Sequence, residues 1–236
     1  MTSIYTLLFI VPVTYFVMQE YLRALLKRAP HLYAWEKDYR MRGNLWRGPF
    51  LGFNFSEIIP RKAKVLELGC GDGKTLFMLV SAGFKVTGID ISPSAISLAR
   101  KKVGGRKAKL VVGDVCNLPF AANSFDAIVA VHVFDHLTSA ERKKAATECS
   151  RVLKKNSLLL FQGFDSKDFR FGQGKKIELR TFRRANNIWY HYFTSAEVKK
   201  LFSKFELIEL QEHCRGRKLG GKNVERCVIK LIARKV

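Results

Sequence analysis

Acidic residues are scarce in this chain: 20 Asp and Glu stand against 42 Lys and Arg, a formal net charge of +22 over 236 residues. The excess is spread along the chain rather than gathered in a tail. It suits a polyanionic partner, either nucleic acid or an anionic membrane surface, and suits a generally basic proteome equally well. Cysteine is sparse and scattered. The five residues Cys70, Cys116, Cys149, Cys214 and Cys227 are odd in number and contain no C-x-x-C pair. That argues against a disulfide framework and a zinc framework, and points to a reducing, cytosol-facing compartment. His213-Cys214 with the distant Cys227 lacks metal-ligand spacing, so no metal site is expected. No internal repeat or low-complexity stretch is present. No basic residue precedes the apolar N-terminus and no small-residue cleavage site follows it, which argues against a cleaved signal peptide.

What is present is ordinary globular composition, with 47% hydrophobic and 26% charged residues. A chain of this length buries a core without metal or disulfide staples and makes one large domain, or one domain with a short appendage. Residues 2–18 (TSIYTLLFIVPVTYFVM) carry no charge. As a helix they would span about 26 Å, slightly under a bilayer's hydrocarbon core, with Pro12 kinking the middle. Arg23, Lys27 and Arg28 follow and would leave the rest of the chain on the cytoplasmic side. Residues 1–30 are therefore read as a possible membrane anchor or as a helix packed on the domain or on a second subunit. Residues 31–60 form an aromatic-rich cap with Gly and Pro punctuation. The main domain is expected over 61–236, with an insertion at about 164–193.

From Lys64 onward, strands and helices alternate. VLELG, FKVTGID, AKLVV, FDAIVAV and SLLLFQGF read as strands. KTLFMLVSAG is a helix ending at Gly83, a C-cap residue. Ser92-Pro93 supplies the N-cap and first-turn proline of the helix SAISLARKKV, and Thr138-x-x-Glu141 is a capping box opening a helix to about Leu153. IELRTF and IWYHYF flank the polar turn RRANN as a hairpin outside the main sheet. Thr194-x-x-Glu197 opens a further short helix. FELIELQE and VERCVIKLIA read as two closing antiparallel strands across a basic loop, HCRGRKLGGKN. The expected fold is α/β: a doubly wound, mostly parallel seven-stranded sheet with an antiparallel closing strand and a hairpin lid insertion.

The residues that carry chemistry begin at VLELGCGDGKT, where Gly69, Gly71 and Gly73 lie between the first strand and a helix. Glycines there admit a ligand close to the backbone beside a helix N-terminus. A G-x-x-x-x-G-K-[ST] phosphate loop fails, because its first glycine falls on Leu68. A G-x-G-x-x-G dinucleotide loop fails, because its last glycine falls on Lys74. The pattern [E/D]-x-G-x-G-x-G resembles the first motif of class I S-adenosylmethionine-dependent methyltransferases. Asp90 at the end of the second strand, Asp114 in VVGDV and the stretch LPFAANSFDAIVAVHVFDHL are similar to their later motifs.

The resemblance implies S-adenosyl-L-methionine as cofactor. It implies that Glu67, Gly69, Cys70, Gly71 and Gly73 hold the methionine end, that Asp90 takes the ribose with Ile91 against the adenine, and that Asp114 and Val115 read the adenine edge. His132 is expected to line the cofactor pocket, and Lys74 to be a solvated first-turn residue. Lys155-Asn156-Ser157 replaces the family's usual Pro-Gly-Gly turn. Asp135 and His136, where the fourth strand ends, are the candidate acid–base pair, with helix capping as the alternative role. Tyr39, Trp46, Arg184, Tyr190 and His191 are the candidate acceptor-binding residues, through aromatic stacking and arginine–anion pairing. A small-molecule acceptor is slightly favoured, tRNA or another RNA is the alternative, and a cofactor-binding module without catalysis is a third reading. No Asn-Pro-Pro-Tyr tetrapeptide follows the fourth strand, which argues against amino-group methylation by that route.

Overall fold

The computed structural model describes residues 17–27, 29–43, 52–106 and 108–236. Most of the apolar run at 2–18, and Trp46, lie outside the described residues. Seven strands form the main sheet: β1 (Lys64–Leu68), β2 (Lys85–Asp90), β3 (Ala108–Val112), β4 (Phe125–Val131), β5 (Leu153–Phe164), β9 (Phe205–Leu219) and β10 (Lys222–Lys235). Their order is β3-β2-β1-β4-β5-β10-β9. The first five are mutually parallel, and β10 runs antiparallel to both β5 and β9. The order reverses between β1 and β4, which opens a crevice at the carboxyl ends of these strands.

Alternation along the strands divides the core into two faces. Leu66, Leu68, Ile128, Ala130, Leu159 and Phe161 pack on one side against α6 (Ser139–Val152) and α7 (Ser195–Leu201). Val65, Ala127, Val129 and Leu160 pack on the other against α4 (Lys74–Ser81) and α5 (Pro93–Val103). Local signals place the helices. Ser92 Oγ accepts the Ala95 N–H at 3.0 Å with Pro93 in the first turn, and Thr138 and Glu141 make both bonds of a capping box. Residues 17–27 are helical (α1), with Leu22 and Leu25 buried and the Tyr21 hydroxyl donating to the Ile91 carbonyl at 3.0 Å. Among the described residues no helix is long and apolar enough to cross a membrane. The cap consists of α2 (Pro30–Arg42) and the short α3 (Phe55–Ile58).

Three expectations are corrected. The run IELRTF is divided between β6 (Lys175–Glu178) and β7 (Thr181–Arg183), because Arg180 takes a left-handed φ of 58°. With β8 (Trp189–His191) they form a three-stranded sheet rather than a single hairpin. The stretch HCRGRKLGGKN is not a loop. Gly220 and Gly221, at φ 54° and 78°, make a two-residue turn, so Leu219 pairs with Lys222 and both strands run through the basic residues. Cys214 and Cys227 face each other directly across β9 and β10, with Cα atoms 4.1 Å apart, and are joined as a disulfide. The pairing removes the cysteine-based argument for a reducing compartment.

Candidate active site

A cavity of about 680 Å³ opens at the carboxyl ends of β1, β2, β4 and β5. One half is built by the glycine turn. Gly69, Gly71 and Gly73 have φ of 62°, 52° and 83°, and a Cβ on Gly71 would stand 2.5 Å from the Tyr39 hydroxyl of α2. The positive φ of all three favours glycine, and at Gly73 a Cβ would also stand 2.8 Å from the Ala99 backbone Cα. The Gly71 N–H donates to Asp90 Oδ2 at 2.8 Å, and the Ser92 N–H donates to Asp90 Oδ1 at 2.9 Å. Burial pushes the Asp90 carboxyl up to about 6, against these two bonds. Glu67 is raised well above the usual carboxylate range by burial and then by the charges of Asp90 and Asp72. Glu67 Oε2 and Asp72 Oδ2 are buried without a hydrogen-bond partner among the described residues. Ile91, Asp114 and Val115 complete this half, and Asp114 Oδ1 accepts the Cys116 N–H at 2.8 Å.

Helix α2 closes the cavity from above with Leu32, Trp35 and Tyr39. Its buried Glu36 fastens it to the N-terminus of α5, accepting from Ser92 Oγ at 2.7 Å, Ser94 Oγ at 2.8 Å and the Ser94 N–H at 3.1 Å.

The other half lies where β4 ends. His132 takes a left-handed φ of 58°, unusual for a residue with a side chain. Its Nδ1 lies 2.7 Å from Asp135 Oδ2, and its ring stacks on Phe164 at 4.2 Å. Asp135 is fully buried, and its Oδ1 accepts the Phe164 N–H at 3.0 Å. With the carboxylate as acceptor, Nδ1 carries the proton and Nε2 is left basic, facing Gln162 Nε2 at 3.0 Å. Asp135 thus partners His132 and not His136. The His136 Nδ1 donates to the Trp189 carbonyl at 2.7 Å, while its buried Nε2 has no partner among the described residues. Burial pushes His136 down to about 4, so the ring is neutral at physiological pH.

Of the expected acceptor-binding residues, Tyr39 lines the cavity, whereas Arg184, Tyr190 and His191 do not. Tyr190 packs edge-on to the His136 ring at 5.1 Å, and Arg184 donates to the Tyr192 hydroxyl at 2.9 Å. His191 lies 2.8 Å from Thr181 Oγ1 and 2.9 Å from Glu197 Oε1. Of the three, Tyr190 touches a lining residue, His136.

A methyltransferase-domain family model matches residues 66–161. An uncharacterized methyltransferase of Oceanobacillus iheyensis is 32% identical over 155 residues, covering 64% of this chain and 72% of that protein. The chain belongs to the class I S-adenosylmethionine-dependent methyltransferases. A tRNA N(3)-methylcytidine methyltransferase of Drosophila melanogaster is 27% identical over 217 residues, covering 78% of this chain and 67% of the other. A demethylmenaquinone methyltransferase of Thermotoga maritima is 34% identical over 104 residues, covering 44% of each chain. The crystal structure of a SAM-dependent methyltransferase from Methanosarcina mazei superposes with a TM-score of 0.66 at 25% identity, covering 82% of this chain and 99% of that one.

The cofactor of this methyltransferase is S-adenosylmethionine, and the cavity suits it. A sulfonium and an α-ammonium group are cationic, and the glycine half presents three buried carboxylates, two of them with an oxygen left over. Several lining residues carried no readable signal in the sequence. Asp72 is 1% exposed yet sits in the middle of the turn, and the half-buried Lys74, in the first turn of α4, also lines the cavity. Leu32, Trp35 and Gln162 also line it, as do Arg215, Arg217 and Arg226 from the β9–β10 ribbon. Periodicity marks Gln162 only as one position on a strand, and the ribbon residues reach the site through a pairing distant in sequence.

Proposed function

We propose that this methyltransferase alkylates a nitrogen or oxygen that bears a proton, and that His132 takes that proton. The observation carrying this reading is the Asp135–His132 pair, 2.7 Å apart, on a left-handed residue in the cavity wall. When bound, S-adenosylmethionine supplies a methyl group already activated on a sulfonium. The chain's own work is to hold the acceptor in line with that methyl, within the roughly 7–11 kcal/mol available to positioning, and to receive the acceptor's proton. Asp135 fixes the His132 tautomer with Nε2 unprotonated and stabilises the imidazolium that forms. In the resting state Gln162 occupies the Nε2 lone pair of His132 and has to swing aside before the acceptor's proton can reach it. Its amide N–H donates to neutral Nε2, and its Oε1, buried without a partner among the described residues, can accept from the protonated ring once the amide has turned over. His136, held neutral, offers Nε2 as an acceptor that orients the incoming N–H or O–H.

In this reading Glu67 and Asp72 face the methionine end of the cofactor, Asp90 the ribose, and Asp114 with Val115 the adenine edge. Trp35 and Tyr39 exclude water above it. The cavity volume admits the cofactor and one acceptor group of ring size. The test is transfer of a labelled methyl group into total tRNA and, separately, into a small-metabolite extract. The expected result is stable label in one fraction. Tight binding of S-adenosylhomocysteine with no transfer to either would overturn the reading in favour of a binding module.

A further inference from the structure

Beyond Val228, which pairs with Phe164 of β5, the strands β9 and β10 leave the sheet and continue as a two-stranded ribbon. Six residue pairs, from Cys214–Cys227 to Leu219–Lys222, extend it by about 17 Å past the carboxyl ends of the parallel strands. Isolated hairpins of this size are marginal in water, and residues 213–223 are all exposed, so no core holds the ribbon. It is fastened at its base instead. The disulfide joins the two strands there, and Asp168 of the insertion accepts from the Cys227 N–H at 3.0 Å and from Arg226 Nε at 3.1 Å.

Alternation puts Arg215, Arg217 and Arg226 on one face, and that face lines the cavity mouth. Arg215 and Arg226 are directly opposite each other, and of these two Asp168 pairs with Arg226 alone. Neither Arg215 nor Arg217 has a carboxylate partner among the described residues. Lys218 and Lys222 add charge towards the tip, and Glu225 is the sole acid over 213–227. A single phosphate or carboxylate on a small acceptor needs one such pair. A stapled basic ribbon of this length suits a polymer of phosphates.

We infer that the β9–β10 ribbon is an RNA-docking arm that lays a phosphodiester backbone across the cavity mouth, so that the acceptor group is a base of that RNA. The inference rests on the proposed methyl transfer and names its substrate class. A flat anionic bilayer would meet the tip and outer face of the ribbon, whereas the three arginines face inward, over the site of transfer.

The experiment measures binding of total tRNA by fluorescence anisotropy from about 50 to 200 mM salt. It compares the wild type, Arg215→Ala/Arg217→Ala, and Lys218→Ala/Lys222→Ala, with vesicles of phosphatidylserine and phosphatidylcholine as a second probe. The inner-face double variant should lose about two from the log–log salt slope and roughly tenfold in affinity near physiological salt, and the tip variant less. S-Adenosylhomocysteine titration of the same samples shows whether each variant is folded. Wild-type salt dependence in the arginine variant, equal losses in both variants, or binding to the vesicles and not to tRNA would each overturn the arm. None of these results bears on the proton transfer to His132, which is read from catalytic rate.

Discussion

Asparagine at position 90 probes the cofactor site through one charge. Asp90 is 7% exposed, and its two oxygens accept the N–H groups of Gly71 and Ser92. Burial raises its pKa from 3.8 to about 6, so the charged form carries about 3 kcal/mol of cost in the folded chain. The unfolded chain gives up this proton near pH 4 and the folded chain near 6. Across that window the folded state holds more protons, so this group's contribution to stability falls as pH rises and is constant above about 6. Cofactor binding runs the opposite way. Ribose hydroxyls donate to the carboxylate, so affinity should rise through pH 6 and level off.

Asp90→Asn removes the charge and turns one donor group towards a backbone N–H. Loss of a charge-assisted acceptor is worth about 1.5–3 kcal/mol, a roughly ten- to hundredfold weaker complex. The pH dependence through 6 should vanish with it. Stability at neutral pH should change little, because relief of the buried charge offsets the lost hydrogen bond. Calorimetric titration with S-adenosylhomocysteine between about pH 5 and 8, with urea unfolding of both proteins, reads all three quantities. Wild-type affinity flat across that range, or a variant binding within twofold of wild type, would refute the assignment of Asp90.

Asp135→Asn presents an amide N–H to His132 Nδ1 and forces the tautomer in which Nε2 is protonated. Single-turnover methyl transfer should slow by about 100-fold or more, while titration shows unchanged cofactor affinity. Glu36→Ala leaves Ser92 Oγ, Ser94 Oγ and the Ser94 N–H without their shared acceptor. Urea unfolding should show a loss of roughly 2–4 kcal/mol, and cofactor affinity should fall as α2 loosens over the cavity.

The parts of the fold legible in the sequence are those written in local chemistry. Ser92-Pro93 and Thr138-x-x-Glu141 fix two helix starts, and the apolar strands between them define the sheet. The glycine turn and Asp90 were legible for the same reason, since the spacing of one strand–turn–helix unit sets them. Pairings between distant segments were not. The basic stretch 213–223 reads as a loop because its side chains are cationic and apolar alternation is lost, although Gly220-Gly221 is the turn that a hairpin uses. His132 was expected to line the cofactor pocket, and it does line the cavity. The base role proposed for it rests on Asp135, three residues on, which bonds it instead of His136. Trp35 and Leu32 enter the site from a helix ahead of the domain, and no periodic pattern marks them for it.

The single-turnover rate of methyl transfer by His132→Asn with its cofactor bound, measured on whichever acceptor fraction the wild type labels, decides whether His132 is the base. Asparagine tolerates the left-handed backbone at this position but cannot serve as a base near neutral pH. Proton removal by His132 requires normal cofactor affinity with a rate lowered by about 100-fold or more. A rate within a few-fold of wild type would contradict it and leave proton removal to solvent or to another residue.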